Sequence, residues 1–350
     1  RATSALLDVL AHGTPALQPL AADALIYVAD AAAVTPLLQL ATGDPRGPRL
    51  EAARALGGVL RGRHDERARR VLEHLADGDS LPLSLAAIAA LGAMGDKAAV
   101  GKLGELARGF NPHRQRAAAE ALGNLGDRDV VPLLVDLLGA GDDRVSAAAA
   151  WALGKLGDPR AVAPLLAAVP RRGWATAVNA SAALARLAPR EPKLADLLRH
   201  RDRLVRINGC AAVAATGIAA ATPRLIELLA RDAAAEVRVA AARALTRLPR
   251  TDEITAALKT AATADTDPAV RAAAGADKPF APPARRDWQA FRFVDPDQGD
   301  APVRQEPYFI LAADGLATAL YTDERGEAIE EQFPPGDYQI EGSLSGTPRN

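Results

Sequence analysis

One short word, Ala-Leu-Gly, returns along this chain at a nearly constant interval, and nothing else restricts its folding as strongly. Ala90-Leu91-Gly92, Ala121-Leu122-Gly123 and Ala152-Leu153-Gly154 each lead, after two residues, to Gly-Asp, at Gly95-Asp96, Gly126-Asp127 and Gly157-Asp158. Weaker copies centre on Leu25, Leu56, Leu184, Val213 and Leu245. The central residues are thus spaced by 31, 35, 31, 31, 31, 29 and 32 positions. A fixed period of this length marks stacked supersecondary units, none of which can bury its apolar face alone.

Each copy reads as a pair of helices. Residues 146–156 are rich in Ala, the strongest helix former, and small side chains let neighbouring helices approach. Gly157 suits the left-handed residue that ends a helix, and Asp158 can accept the orphan N–H groups of the next one. Pro164 must fall in a first turn or at a kink, because inside a helix it removes a hydrogen bond. Leu165-Leu166 then open the apolar stripe of the second helix. The same Pro-Leu-Leu stands at Pro36-Leu37-Leu38 and Pro132-Leu133-Leu134. Leu6-Leu7 precedes Leu37-Leu38 by 31 residues, so the chain opens in mid-repeat. Either the array continues upstream or it starts on a half-repeat cap. Asp267-Pro268-Ala269-Val270-Arg271 begins a last copy that stops at Gly275.

Composition changes abruptly near residue 280. Residues 1–280 carry 36 basic and 30 acidic side chains; residues 281–350 carry 6 and 13. Four aromatics (Tyr27, Phe110, Trp151, Trp174) precede residue 280, and nine occupy positions 280–350. The Pro-rich stretch 277–287 reads as a linker between a repeat domain at 1–276 and a module at 288–345. In that module the helical period is lost. Residues 288–294, 308–311 and 317–322 alternate as strands, with turn signals at Asp314-Gly315, Arg325-Gly326 and 334–337. A small antiparallel β-sandwich is expected, with Tyr338 as its plug.

The run Ala121-Leu122-Gly123-Asn124-Leu125-Gly126-Asp127, with Val237-Arg238 and Ala241-Ala242-Arg243-Ala244-Leu245, resembles the HEAT-like repeats of phycobilisome-lyase-type and short bacterial HEAT proteins. The resemblance implies a mainly-α chain, a HEAT-like α-solenoid of about eight to nine helix pairs followed by the small sandwich. Thr322-Asp323-Glu324-Arg325-Gly326-Glu327 and Phe333 to Tyr338 resemble carboxypeptidase-regulatory-like, transthyretin-type modules. That likeness implies a non-catalytic binding or spacer unit, as on bacterial envelope or secretion assemblies.

In HEAT-like families of this period the Ala-Leu-Gly helix lines the concave side. The residue before the word is Arg54, Ala89, Glu120, Trp151, Ala182, Ala211 or Arg243. The resemblance places Trp151, Trp174, Arg144, Arg116 and Glu120 in a central partner-binding patch, with His113, Asn179, Arg203 and Asn208 on the same helices. Large rigid rings and guanidinium groups dominate interface energetics. The competing reading is that both indoles fill gaps between Ala-rich helices.

Catalytic motifs are missing. None of His12, His64, His74, His113 and His200 is followed by Glu, whereas the HEAT-like deoxyhypusine hydroxylases carry His-Glu pairs for iron. No zinc spacing, phosphate loop or nucleophile elbow occurs. Cys210, the only cysteine, reads as a packed thiol and excludes an intrachain disulfide. The Arg clusters at 61–70 and 199–206 are interrupted by carboxylates and have few aromatics for base stacking, which disfavours nucleic acid. No apolar run reaches the length of a membrane span. The excess of Arg over Lys, 36 to 6, points to a GC-rich bacterial source.

The expectation is therefore a protein-binding scaffold that is not an enzyme, with no cofactor and no metal, and a protein as partner. The acidic module could also dock on the basic solenoid of its own chain. A HEAT-like nucleic-acid binder and a lyase-type enzyme acting on a bound chromophore stand as alternatives.

Overall fold

A computed structural model describes residues 2–170, 173–187 and 191–276, together with 287–292, 294–295, 301–302, 307–311, 316–321, 327–333 and 339–342. Residues 277–286 of the linker at 277–287, the three turn signals beyond residue 312 and the Tyr338 plug lie outside the described residues. The chain divides into two units, Arg1–Leu156 and Gly157–Asn350.

The first unit holds α1 (Ala2–His12), α2 (Gln18–Val28), α3 (Val34–Thr42), α4 (Arg49–Val59), α5 (Glu66–Asp77), α6 (Leu81–Met94), α7 (Val100–Arg108), α8 (Pro112–Leu125), α9 (Val131–Leu137) and α10 (Asp143–Leu156). The motif helices α2, α4, α6, α8 and α10 pack side by side in chain order. The intervening helices form a second layer, α3 on α4, α5 on α6, α7 on α8 and α9 on α10.

The repeated word explains this stacking. Its Leu is the core residue: Leu25, Leu56, Leu91, Leu122 and Leu153 are all at most 1% exposed. Its Gly is where the next repeat touches. A Cβ added to Gly57 would come 2.6 Å from Ala90 Cα, one on Gly92 2.8 Å from Ala121 Cα, and one on Gly123 2.8 Å from Ala152 Cβ. So the Gly of one motif receives the Ala of the next, and the helices meet nearly backbone to backbone. Gly95 and Gly126 then take the left-handed conformation at φ 72°, as does Gly157 at φ 68°. Asp96 and Asp127 accept the N–H groups of Ala98 and Asp129, each at 3.0 Å, which starts a 3-10 turn into the second helix.

The second unit contains α11 (Val162–Ala168), α12 (Trp174–Leu187), α13 (Arg203–Thr216), α14 (Thr222–Arg231), α15 (Ala235–Arg247), α16 (Asp252–Ala264) and α17 (Pro268–Ala274). Here α12, α13, α15 and α17 adjoin in turn, and Leu184, Val213 and Leu245 are fully buried. The shortest repeat, with its 29-residue step, has a physical cause. Its second helix, Pro192–Arg199, is a 3-10 helix. At about 2.0 Å rise per residue, eight residues span about as much as ten in an α-helix. Leu197 also lies so close to α13 that a Cβ on Gly209 would be 2.9 Å from its Cβ.

Arginines tie successive repeats of this unit together by one recurring geometry. Arg206 Nη1 donates to the carbonyls of His200 and Arg201 at 2.9 and 2.8 Å, and its fork holds Asp232 at 2.8 and 3.0 Å. Arg238, at the same helix position, donates to the carbonyls of Asp232 and Ala233 and holds Asp265 at 2.9 and 3.0 Å. Arg271 repeats the carbonyl contacts on Asp265 and Thr266. Part of the basic charge at 199–206 is thus spent on inter-repeat pairs.

The C-terminal strands are β1 (Asp287–Arg292), β2 (Val294–Asp295), β3 (Ala301–Pro302), β4 (Pro307–Leu311), β5 (Ala317–Tyr321), β6 (Glu327–Phe333) and β7 (Gln339–Gly342). They pair antiparallel as β1-β6, β2-β3 and β5-β4-β7. The expected β-sandwich is not formed among the described residues. The strands fall into three small separate sheets, two of only two strands. The three-stranded sheet sets β5 against the helices α12 and α13, so a helical surface stands where a second sheet was expected.

Candidate functional site

Two places gather the residues singled out by the sequence, one in each unit. In the first, Glu120 of α8 and Trp151 of α10 hold equivalent positions in consecutive repeats. A Cβ on Gly123, one turn beyond Glu120, would lie 3.2 Å from Trp151 Cζ3, so the indole rests along α8. Lys155 Nζ sits 4.9 Å from the centroid of that ring and donates to Asn124 Oδ1. Arg116, one turn before Glu120, is buried, and its Nη1 lies 3.6 Å from Glu120 Oε1.

The Glu120 side chain is 37% exposed, yet the surrounding protein removes enough water to push its pKa up, against the opposing pull of Arg116. The result is a row of Arg, Glu, Asn and Lys beside one half-buried indole. Such a surface can bind an extended conjugated ligand by stacking, receive carboxylates on its cations and deliver a proton from Glu120. Arg144 of α10 folds back on Asp142 through Nε and Nη2, at 3.1 and 2.8 Å. That pair and its backbone bonds hold the Asp142 carboxyl below its ordinary range. His113 is half-buried, and its N–H is held by the Asn111 cap at 3.0 Å.

The second place is on α12 and α13. Asn179 and Asn208 were read as facing a partner across an open surface; both are buried, and β5 of the same chain covers them. Asn179 Nδ2 donates to the Ala319 carbonyl and its Oδ1 accepts the Ala319 N–H, both at 2.8 Å. Asn208 treats Ala317 in the same way, at 3.0 and 2.6 Å, and its Nδ2 also reaches Val178 O and Ser181 Oγ. The described hydrogen bonds between strand and helices are therefore between neutral amides. Arg203 pairs with Glu236 at 2.9 Å, and Trp174 opens α12 half-buried. Asn179 and Asn208 could have been recognised as a pair. Both stand three residues before the position that precedes the repeated word, where the other copies carry Leu20, Glu51, Ala86, Ala117, Ala148 and Ala240.

One arrangement had no sequence signal. His64 Nδ1 lies 2.7 Å from Asp96 Oδ2, and Arg69 pairs with Glu73 at 2.6 Å while approaching the same Asp96 at 3.6 Å. These contacts tie the loop after α4 to the turn after α6. Cys210 is buried, and burial drives its thiol up to about 12, which leaves it unreactive. Among the described residues, no three or more His, Cys, Asp or Glu side chains could hold a metal ion, and no helix is long and apolar enough to cross a membrane.

A sequence profile of HEAT repeats matches residues 102–186 and 191–276. The chain thus has a HEAT-repeat-type α-solenoid fold. No curated protein matches it by sequence. Among solved structures it is similar to human deoxyhypusine hydroxylase in complex with glycerol, at 25% identity, 73% of this chain, 96% of that one and a TM-score of 0.34. It is also similar to the complex of CpcE and CpcF of phycocyanin lyase from Nostoc sp. PCC7120, at 21% identity, 73% and 92% coverage and a TM-score of 0.40. A third similar structure is Kap95p bound to RanGDP, at 13% identity, 78% of this chain, 44% of that one and a TM-score of 0.51. That last likeness shows the fold alone.

The expectations of a purely non-catalytic scaffold and of a chain that is not an enzyme are corrected here. Two of these similar structures carry the names of catalysts, a hydroxylase and a lyase. Missing local motifs do not exclude catalysis in any stacked-repeat chain, because repeats can assemble a site from residues far apart in sequence.

Proposed function

We propose that this chain is a lyase-type enzyme that holds a chromophore on α8 and α10, a conjugated ligand bearing carboxylates. The observation that carries the reading is Glu120: a carboxyl with raised pKa, 3.6 Å from a buried guanidinium and one turn from an indole. Lyase chemistry makes or breaks a double bond with transfer of a proton, and needs a group placed to give one. Burial shifts Glu120 toward its protonated form, which suits it to that role. Trp151 supplies the stacking platform, Lys155 receives an anionic group of the ligand, and the buried Arg116 positions Glu120. Arg144 and His113 border the site on the same two helices. Trp174 and Arg203 belong to the second unit and are not part of this site. The division into repeats at 1–276, a linker at 277–287 and a C-terminal module at 288–345 belongs to the same proposal.

The test uses biliverdin, a linear tetrapyrrole with two propionates, titrated into the full chain and followed by its visible absorbance. Saturable binding is expected. Trp151→Leu and Lys155→Leu should each weaken it about tenfold, the equivalent of about 1.4 kcal/mol. Glu120→Gln should still bind but lose the pH dependence of the bound spectrum. Absence of saturable binding, or equal binding by all variants, contradicts the reading.

A further inference from the structure

Asn179 and Asn208 do to β5 what a neighbouring strand would do. In an antiparallel ladder, one residue in two exchanges its N–H and C=O with the strand on one side, and its neighbours turn to the other side. β4 pairs with β5 through Tyr308↔Leu320, Phe309↔Ala319, Ile310↔Thr318 and Leu311↔Ala317. On the other edge, Ala317 and Ala319 present N–H and C=O together, and each pair closes on one asparagine amide. An asparagine side chain carries the same donor and acceptor as a peptide group. Two of them, on successive helices, match two residues that stand two apart in a strand.

The grip reads main chain and size. Its described hydrogen bonds to β5 all end on backbone atoms. Ala317 is 0% and Ala319 1% exposed, so larger side chains have no room there. Asn179 and Asn208 are 3% and 0% exposed themselves, and a buried amide is costly unless paired. The six other copies lack Asn at this position, so the grip is confined to α12 and α13.

We propose that the Asn179–Asn208 pair is a binding site for the backbone of an extended polypeptide with small residues at alternate positions. β5 occupies it in cis, and a segment of the same pattern supplied in trans competes for it. This does not depend on the reading of α8 and α10. The tether gives β5 an effective concentration of about 1 mM, so it holds the site against dilute competitors. A competitor succeeds when it is abundant or when β5 is weakened.

The test uses the full chain and a labelled peptide of residues 316–322, Leu-Ala-Thr-Ala-Leu-Tyr-Thr. Ala317→Pro with Ala319→Pro removes both N–H donors from β5. That variant should bind the peptide at least about tenfold more tightly than the unaltered chain. Adding Asn179→Leu and Asn208→Leu, or replacing both peptide alanines by Phe, should abolish binding. Lack of binding by a Pro variant that keeps its helical circular dichroism overturns the proposal, as does equal binding by the Leu variants. Hydrogen exchange on the unaltered chain gives a second reading without any variant. Peptide in several-fold excess over about 1 mM should speed exchange at 317–319 while α12 and α13 stay protected. Unchanged exchange at 317–319 overturns it.

Discussion

At the scale of single residues, Glu120 is a carboxyl whose surroundings differ from those of an ordinary surface carboxylate. Desolvation raises its folded-state pKa above the unfolded value. The folded state therefore binds the proton more tightly, and stability falls as pH rises from the unfolded pKa through the folded one. Glu120→Gln removes that loss. Its melting temperature should exceed that of the unaltered chain at pH 7, and the gap should close as pH falls below about 4. A gap that widens in acid would show that the carboxyl is stabilised as an anion instead. Trp151, Glu120 and Arg116 were legible in the sequence because the repeat places them on one face. The shift of Glu120 was not, since it depends on how much protein surrounds a side chain that is still partly exposed.

At the scale of helices, the repeated Gly is the close-contact point. Gly92→Ala places a Cβ 2.8 Å from Ala121 Cα, a backbone atom that cannot rotate away. A loss of roughly 1–3 kcal/mol is expected in denaturant unfolding, the cost of overpacking; a neutral result would mean that α6 and α8 separate freely. The Arg forks make a second prediction. Asp265 is held below its ordinary carboxylate range chiefly by the hydrogen bonds of Arg238, whose guanidinium is raised in turn. Its contribution is complete above the unfolded pKa, about 3.9, and is lost as pH falls through the lower folded one. Arg238→Ala should cost roughly 2 kcal/mol at neutral pH, and the penalty should shrink as pH falls below the unfolded value of about 3.9. The inter-repeat bridges were foreseeable from the Arg-rich helix starts; their carbonyl contacts were not, because backbone acceptors carry no sequence mark. β5 was legible as a strand. Its seat on two helices was not legible, because the recurring Asn of α12 and α13 marks a shared repeat position without marking what covers it.

At the scale of the whole molecule, repeats touch chiefly their neighbours, so damage stays local. Leu122→Ala, at a fully buried position, should cost roughly 2–5 kcal/mol. Hydrogen exchange should report that loss across α6 to α10 and leave α13 to α17 protected; uniform loss would mean that the chain unfolds as one piece. The solenoid was readable from its period alone, since Ala, Leu and Gly at fixed spacing admit few other arrangements. The C-terminal sandwich was not, because strand signals name strands without naming what each strand packs against. Absence of motifs misled the functional reading for a related reason. A motif is local, whereas a site on stacked repeats takes one residue from each.

The most direct measurement is the titration of the Glu120 side chain in the intact chain, by carbon NMR of labelled glutamate carboxyls, with Glu120→Gln identifying the resonance. A midpoint above the ordinary glutamate value of about 4.3 is predicted. A midpoint at or below that value would mean a solvated anion beside Arg116, and α8 and α10 would hold no acid for the proposed chemistry.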